Sequence, residues 1–413
     1  MSVDTRTRPV RAAPRVEPSD FWAGPWQESL ARNGARAAAD AAYLGLTPLA
    51  ITIDGESWTL RADGPTLEAA RGNDGAPEVR IDRDAFSDLV YEQRSALGLV
   101  IAGRVDGDPD ANATFCAWDP VLRSALDGRP VYRPGDVQLL DDDGSALDFD
   151  RQFRLDEPGA GHFLAEAGFV LLQDVFTDEE MDAVDADLAR AVANARPDDG
   201  TSWWATTRDG ERYPCRILDF ADQSPALRAL IDDPRFDAIG DLLGVGHRPG
   251  DPFGEHFADV TAEGLVKRVG SVEGLACLPW HKDCDRGGHS LFCSGLTIGV
   301  CLTPVDEAHG GLDVVAGSHR ANIARAQVER GLDLPRVRLR ADRGDVTVHM
   351  SCTLHQSTHP KSRERRVAYT GFALPPRPGD AHAADAQARL RRDRAAIGDP
   401  STAARIGTEP GLR

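Results

Sequence analysis

The feature that most constrains the fold is a series of short apolar runs between residues 270 and 375, separated by Gly, Pro and Asp. Short strands joined by turns of this composition are typical of an antiparallel sandwich or barrel. Helical patterns precede them, and Thr177 and Glu180 form a capping box that opens an amphipathic helix. This part of the chain is therefore predicted to be an α+β domain built around antiparallel strands.

The length of the chain indicates two domains. At 413 residues it exceeds one ordinary domain, and an Arg133-Pro-Gly-Asp turn followed by an acidic run at 141–144 marks a linker. The predicted organisation is a disordered lead over 1–25, a smaller α/β domain over 26–135, a linker over 136–154, the larger domain over 155–378, and a helical or disordered tail over 379–413.

Local signals define the smaller domain. The Asp54-Gly55 turn joins two short strands within residues 51–60, which is a strong hairpin signal. A helix is predicted over 35–46 and a strand over 79–81. A second helix is predicted over 85–91, with Asp84 as its cap.

Composition excludes several classes of protein. A formal net charge of −19 argues against nucleic acid or an anionic membrane surface as a partner, because both attract an excess of Lys and Arg. No apolar run approaches the roughly 18 residues that cross a bilayer, and no secretory signal is recognisable. The seven cysteines include no Cys-x-x-Cys pair, so free thiols are expected rather than a structural zinc site. A cytoplasmic protein is predicted.

A histidine and an aspartate two residues apart suggest metal chemistry. In an extended segment, residues two apart face the same side, so His281 and Asp283 present an imidazole and a carboxylate together. They can supply two ligands of a 2-His-1-carboxylate triad, which binds iron(II) and leaves coordination positions open. A His-x-Asp pair is common by chance, so this hypothesis requires another histidine on a strand further along the chain.

Three downstream histidines, His349, His355 and His359, could each supply the missing ligand. A basic cluster that includes Arg365 and Arg366 follows them at the start of the next predicted strand. An arginine near an open iron site can pair bidentately with a carboxylate, such as the distal carboxylate of a 2-oxo acid. The pattern therefore indicates an oxygenase site, with the identity of its second histidine open at this point.

Together these motifs resemble the phytanoyl-CoA dioxygenase family of iron(II)/2-oxoglutarate oxygenases over about residues 155–375. The likeness is carried by Pro279-Trp-His281-Lys-Asp283, residues 310–320, Gly344-Asp345, Leu354-His355-Gln-Ser357 and Arg365-Arg366. It implies a double-stranded β-helix, or jelly roll, with iron(II) bound by His281, Asp283 and His355. It also implies that Arg366 and Ser357 bind 2-oxoglutarate, and that O2 is the other co-substrate.

The choice between Arg365 and Arg366 also has a geometric argument. If the strands that carry His355 and Arg366 form a hairpin about Pro360-Lys361, these two residues lie opposite each other and share a face. Arg366 would then point into the site and Arg365 away from it. A β-bulge in the hairpin would exchange the two roles.

The smaller domain has a weaker resemblance of its own. Its order of hairpin, strand, capped helix and the apolar segment at 99–108 is similar to sterol-carrier-protein-like lipid-binding domains, over about residues 36–130. The resemblance implies a lipid-binding role. The alternative is a packing domain that only supports its neighbour.

Four residues are candidates for contact with the substrate. Trp203 and Trp204 place paired aromatic rings in a polar segment, which indicates either a loop anchored to the core or a lid or apolar wall for the substrate. Lys282 stands where the resembled family often has Gln, and His319 lies in a turn that the family places near the site. The adjacent pair at 267–268 is instead predicted to be solvated.

The predicted function is hydroxylation of an apolar or acyl-like small molecule, coupled to conversion of 2-oxoglutarate into succinate and CO2. The alternative is a non-catalytic lipid or small-molecule binding protein built on the same two domains. Neither the substrate nor the oligomeric state follows from the sequence.

Overall fold

The computed structural model describes residues 15–374, apart from 93, 102, 198, 250–261, 275, 279 and 284–294. The predicted tail over 379–413, the first fourteen residues of the predicted lead, and Pro279 lie outside the described residues. No helix within the described part combines the length and the apolar character that a bilayer-spanning segment requires.

The N-terminal unit, residues 16–127, contains one small sheet and five helices among its described residues. Its elements are α1 (Pro18–Ala23), α2 (Pro25–Leu44), β1 (Leu49–Ile53), β2 (Glu56–Asp63), β3 (Thr66–Arg71), β4 (Glu78–Ile81), α3 (Arg83–Val90), α4 (Ala96–Ile101) and α5 (Pro109–Asp127). The strand order is β3-β2-β1-β4, in which β4 runs parallel to β1 and the other pairs are antiparallel.

Turn and cap chemistry explains where these elements begin and end. Asp54 and Gly55 both have positive φ, as a tight turn between β1 and β2 requires, so the predicted hairpin is confirmed. Asp82, rather than the predicted Asp84, caps α3, because its carboxylate accepts a hydrogen bond from the backbone N–H of Ala85 at 2.7 Å.

The prediction of a disordered lead is wrong for its last residues. Helix α1 and the start of α2 occupy them, and Phe21 and Trp22 are buried. Phe21 packs edge-on against Phe86 at 5.3 Å between ring centroids, and Trp22 stacks on Trp58 at 6.1 Å. Two large rings bury enough apolar surface to order a segment whose overall composition is polar.

The core of the N-terminal unit is apolar and closely packed. Trp26, Trp118 and Phe115 are fully buried within it. A cavity lined by aromatic and aliphatic side chains, including Trp26, has a volume of about 10 Å³. This volume is comparable to one water molecule and far below the hundreds of cubic ångströms of a small-ligand pocket. An acyl chain cannot enter this cavity without rearrangement of the core.

The C-terminal unit, residues 153–374, contains two sheets and flanking helices, and one pair of strands in the larger sheet is parallel whereas the others are antiparallel. Its elements are β5 (Phe153–Arg154), α6 (Ala160–Ala167), β6 (Phe169–Gln173), α7 (Asp178–Asn194), β7 (Ser202–Thr207), β8 (Arg212–Ile217), α8 (Phe220–Gln223), α9 (Pro225–Ile231), α10 (Pro234–Gly240), β9 (Arg248–Pro249), β10 (Ala262–Lys267), β11 (Ser271–Glu273), β12 (Gly295–Cys301), β13 (Leu312–Val315), the 3-10 turn η1 (Ser318–Arg320), α11 (Arg325–Arg330), β14 (Arg336–Arg338), β15 (Val346–Met350), β16 (His355–Ser357) and β17 (Arg365–Ala373). The predicted capping box of α7 is present, with Thr177 and Glu180 in reciprocal hydrogen bonds.

The two sheets form the predicted double-stranded β-helix. The ten-stranded sheet runs β11-β7-β8-β10-β17-β12-β15-β6-β5, with β9 beside β17, and the three-stranded sheet runs β14-β13-β16. Some neighbouring strands, such as β12 and β17 or β6 and β15, are distant in sequence, because the chain alternates between the sheets as it winds. The fold is therefore α+β with a jelly-roll core, as predicted. Phe153 is buried in β5, so the sheet begins inside the segment predicted as linker.

Hydrogen bonds join the two units near residue 132. The backbone N–H of Tyr132 donates to the carbonyl of Asn322 at 2.9 Å, and the Gln327 amide donates to the Tyr132 carbonyl at 3.0 Å. The Tyr132 ring packs in an apolar cluster with Trp280 and Leu354. These two residues immediately precede His281 and His355, so the contact lies directly behind the candidate metal ligands.

Candidate active site

His281 and His355 are brought side by side by backbone pairing. Each N–H donates to the carbonyl of the other, at 2.9 and 3.0 Å, and the ring centroids are 4.2 Å apart. Asp283 completes the group, with its Oδ1 at 3.5 Å from Nε2 of both histidines. The three ligand atoms all lie within 4.8 Å of one another. The residues predicted as the metal triad therefore meet at one place.

The hydrogen bonds around these side chains fit a metal ion. His355 Nδ1 lies 2.8 Å from the carbonyl of Thr353, which fixes the proton on Nδ1 and leaves the Nε2 lone pair directed at the centre. The other carboxylate oxygen, Asp283 Oδ2, accepts hydrogen bonds from Thr297 Oγ1 at 2.8 Å and from His349 Nε2 at 3.2 Å. Two nitrogens and one carboxylate oxygen are thus directed at the same point, which is the donor set of a non-haem iron(II) site.

Electrostatics keep this group in its metal-binding protonation state. Although burial opposes ionisation, the imidazoles that surround the Asp283 carboxylate hold its pKa well below its usual range. Burial lowers the pKa of His349 to about 4, so this residue is neutral at neutral pH. His349 was one of the open candidates for the second histidine ligand. It contacts Asp283 from the sheet instead of joining the three converging ligand atoms.

One surface of the ten-stranded sheet faces this centre. Thr297 on β12 and His349 on β15 are directly opposed, and both contact Asp283. Two residues share a face of a sheet when they are directly opposed on neighbouring strands or lie two positions apart on one strand. By this rule the strand registers extend the surface from β12 across β17, β10, β8 and β7. We call it the metal-facing surface; its polar and aromatic members are Trp203, Arg216, Glu263, Lys267, Thr297, His349, Arg365 and Tyr369.

The prediction that Arg366 points into the site is wrong. The assumed hairpin does not form: β16 pairs with β13 in the three-stranded sheet, whereas β17 pairs with β10 and β12. Arg366 faces away from the centre and forms ion pairs with Asp185 at 3.0 Å and Glu364 at 2.7 Å. Arg365 takes the inward position. The two arginines have exchanged their predicted orientations because β16 and β17 belong to different sheets, and not because of a β-bulge.

Arg365 has the character of an anion-binding residue. Its side chain is almost completely buried, with 1% of the residue exposed. Its Nη2 donates to the Tyr369 hydroxyl at 3.2 Å, while Nε and Nη1 have no hydrogen-bond partner among the described residues. A buried guanidinium with unused donors is suited to a carboxylate ligand.

Lys267 was predicted to be solvated and is instead buried. It is opposite Arg365 in the register of β10 and β17, is 2% exposed, and donates a hydrogen bond to Ser357 Oγ. Burial lowers the pKa of Lys267 to about 7, and the guanidinium groups of Arg365 and Arg216 act in the same direction. Side chains alternate between the two faces along β10, and this alternation was the sequence signal for the orientation of Lys267. It shows which face is inward only when the neighbouring strands are known.

The metal-facing surface also carries an ion pair. Arg216 on β8 is paired with Glu263 on β10, and the Arg216 guanidinium lies 5.1 Å from the centroid of the Trp203 ring. Arg216 and Trp203 are directly opposed in β8 and β7. The predicted residue Trp203 therefore lies on the side of the sheet that faces the metal ligands.

The other predicted substrate residues have structural partners. Trp204 donates from Nε1 to Ser202 Oγ at 3.1 Å, and Lys282 Nζ lies 3.4 Å from the Ser318 carbonyl. His319 is buried, with Nε2 at 2.9 Å from the carbonyl of Ala165. These contacts tie the three side chains to neighbouring backbone or side chains.

His359, the third candidate for the second histidine ligand, is exposed and lies outside the converging group. A hydrogen bond to Cys277 raises its pKa. The structure therefore brings His355 to the centre, rather than His359 or His349.

Comparison with known proteins gives a family assignment. Residues 164–368 match the family model of phytanoyl-CoA dioxygenase. No curated protein sequence matches the chain.

Among solved structures, AviO1 from Streptomyces viridochromogenes Tue57 is 21% identical, covering 54% of this chain and 99% of its own, with a TM-score of 0.43. The non-heme alpha-ketoglutarate-dependent carbocyclase SnoK from nogalamycin biosynthesis is 19% identical, covering 57% and 93%, with a TM-score of 0.42. EctD from S. alaskensis with bound Fe is 17% identical, covering 60% and 83%, with a TM-score of 0.43.

The family match covers the jelly-roll core and all three residues of the converging group. It confirms the resemblance found in the sequence and, with it, iron(II) and 2-oxoglutarate as the cofactors. Residues 164–368 form a domain of the phytanoyl-CoA dioxygenase family, and the chain is an iron(II)- and 2-oxoglutarate-dependent oxygenase.

Proposed function

We propose that this oxygenase hydroxylates a C–H bond of a small molecule, with iron(II) bound by His281, Asp283 and His355. In such a reaction one atom of O2 enters the substrate and the other enters succinate, which forms as 2-oxoglutarate loses CO2. The observation that carries the proposal is the convergence of two imidazoles and one carboxylate beside a buried, incompletely paired arginine. Iron(II) bound there would supply open positions for the 2-oxo acid and for oxygen.

The protein's own groups determine how 2-oxoglutarate is oriented. Arg365 supplies two unused N–H donors, and Ser357 adds a hydroxyl on the strand that carries His355. Lys267 lies between them, hydrogen-bonded to Ser357 and opposite Arg365. We assign the distal carboxylate of 2-oxoglutarate to these three residues, so that Arg365 takes the role that the sequence had given to Arg366.

The bound anion would complete an otherwise unfavourable arrangement. Arg365 and Lys267 are two buried cationic side chains on adjacent strands, and their mutual repulsion contributes to the low pKa of Lys267. A carboxylate between them would neutralise this charge and favour protonated Lys267. The cation pair therefore provides specificity for a dicarboxylate co-substrate over a monocarboxylate 2-oxo acid.

Titration with iron(II) under anaerobic conditions, followed by 2-oxoglutarate, tests this function directly. We expect one iron per chain, a visible charge-transfer band on addition of 2-oxoglutarate, and release of labelled CO2 from its C1 carbon after oxygen is admitted. Arg366→Met is the matched control for Arg365→Met and should behave as the wild type. Iron and 2-oxoglutarate binding without any CO2 or succinate would instead support the non-catalytic binding protein.

A further inference from the structure

The ion pair of Arg216 and Glu263 is not among the residues assigned to iron or 2-oxoglutarate, yet it lies on the metal-facing surface. Glu263 is directly opposite Tyr369, and Arg216 is directly opposite Leu265, two residues further along β10. Both side chains therefore point to the side of the sheet on which Arg365 and His349 lie. Although burial acts against it, the charge of Glu263 raises the pKa of Arg216, and the carboxylate of Asp283 acts in the same direction as Glu263.

The environment of this pair is largely closed to solvent. The Arg216 and Glu263 side chains are 15% and 18% exposed, and the Trp203 ring covers the guanidinium. Arg216 Nε is buried and has no hydrogen-bond partner among the described residues. The guanidinium thus keeps a donor unused while one of its Nη groups is held by Glu263.

A purely structural role explains this arrangement poorly. Removing two charges from water costs several kcal/mol per ion, and apolar side chains of similar volume are often as stabilising or more so. Elsewhere on the same sheet, Arg366 pairs with Asp185 and Glu364 on the opposite face, where each of these side chains is about 30% exposed. At this exposure the charged groups of Arg366, Asp185 and Glu364 are in contact with water. The Arg216–Glu263 pair is more deeply buried and lies on the face where the reaction takes place.

We infer that Arg216 and Glu263 recognise the primary substrate, which is a small polar molecule carrying a carboxylate for Arg216 and an ammonium or hydroxyl donor for Glu263. This inference rests on the proposed function and names the substrate class of the same site. Arg365 and Lys267 serve the co-substrate, so the two anionic ligands have separate arginines on one surface. The Trp203 ring provides an apolar wall beside the charged groups. The inference thus favours a zwitterion or a hydroxy acid over the apolar or acyl-like substrate, which stays a prediction from the sequence.

Binding to the anaerobic iron(II)–2-oxoglutarate complex can be measured without turnover, through the shift of its visible band. The probes are the protein α-amino acids and their 2-hydroxy acids. Each has two matched analogues, one lacking the carboxylate and one lacking the amine or hydroxyl, and medium-chain fatty acids represent the acyl class. We expect at least one zwitterion or hydroxy acid to shift the band, and both of its truncated analogues to bind at least tenfold more weakly.

The double variant Arg216→Met/Glu263→Leu removes both charges of the pair together, so that neither is left facing an apolar replacement of the other. It should bind iron and 2-oxoglutarate as the wild type does and lose at least tenfold in affinity for the polar probe. Arg366→Met, the same substitution on the opposite face, should leave that affinity unchanged. The inference is overturned if no probe distinguishes the double variant from the wild type, or if fatty acids bind both equally well. Absence of the visible band from the wild type would instead overturn the proposed function.

Discussion

Both units of this protein have an apolar core, and they differ in the groups that are buried in addition to it. The N-terminal unit buries rings against rings, with Trp22 and Trp26 at 5.1 Å between centroids and Trp26 fully enclosed. The C-terminal unit buries Lys267, Arg365 and His349 on one surface of its sheet. Apolar burial stabilises a fold at about 25 cal/mol per Å², whereas burial of an incompletely paired charge costs free energy. The second interior is organised for ligands, and the first for stability.

The largest effect that this comparison predicts follows from removal of a metal ligand. We expect His355→Ala or His281→Ala to abolish tight iron binding and all turnover, since two remaining ligands hold a labile divalent ion poorly. Metal content and an iron(II) titration measure the result. His359→Ala is the matched control and should retain iron, because His359 is exposed and outside the converging group. Normal iron content in His355→Ala would refute the assignment of the triad.

The next effect concerns the two adjacent arginines. Arg365→Met should raise the dissociation constant of 2-oxoglutarate at least tenfold, in line with loss of a charge-assisted contact of about 1.5–3 kcal/mol. Arg366→Met should change it little, because Arg366 pairs with Asp185 on the outer face. The anaerobic visible band measures both constants. The reverse order of the two variants would show that the structure has the wrong register for β17.

A core substitution in the N-terminal unit should affect stability and leave the chemistry intact. Trp26→Ala removes a fully buried ring and should lower the free energy of unfolding by about 3–5 kcal/mol. Denaturant unfolding of the full chain measures this change, with Tyr91→Ala as the control at a residue that is 36% exposed. Iron affinity of the folded variant should match the wild type. A loss of iron affinity in folded Trp26→Ala would mean that packing in the N-terminal unit affects the metal site of the C-terminal unit.

The pH dependence of co-substrate binding should reveal Lys267. Its pKa is about 7 in the folded protein, so the side chain carries its charge below that pH and loses it above. The dissociation constant of 2-oxoglutarate should therefore rise up to about tenfold between pH 6.5 and 8.5, as a cationic partner of the carboxylate is lost. Lys267→Met should flatten the profile. The nearby titrating pair Cys277 and His359 is tested separately by Cys277→Ser, which should keep the pH dependence and move its midpoint to lower pH, because Cys277 raises the pKa of Lys267.

The smallest effect is expected for lipid probes. The cavity of about 10 Å³ in the N-terminal unit is too small for an acyl chain or a sterol. The full-length protein should therefore produce little enhancement of the fluorescence of an acyl or sterol probe. A strong enhancement that Trp26→Ala abolishes would support the resemblance to sterol-carrier-like domains and show that this core opens.

Local sequence determined much of the molecule. Asp54-Gly55 specified a hairpin, and Thr177 with Glu180 specified the start of α7, because turn and cap preferences depend on a few neighbouring residues. His281 and Asp283 share a face for an equally local reason, the alternation of side chains along an extended segment. The family resemblance added His355, which lies 72 residues beyond Asp283.

Only the tertiary structure decided which side chains meet across strands. In this double-stranded β-helix β16 and β17 enter different sheets, so the partners of β17 are β10 and β12 and not the preceding β16. That pairing turns Arg365 inward and Arg366 outward, and it places Lys267 beside the co-substrate. The pairing of β8 with β10 likewise brings Arg216 to Glu263, which are 47 residues apart in sequence. Strand register depends on the burial of whole faces at once, and no local pattern along one strand contains that information.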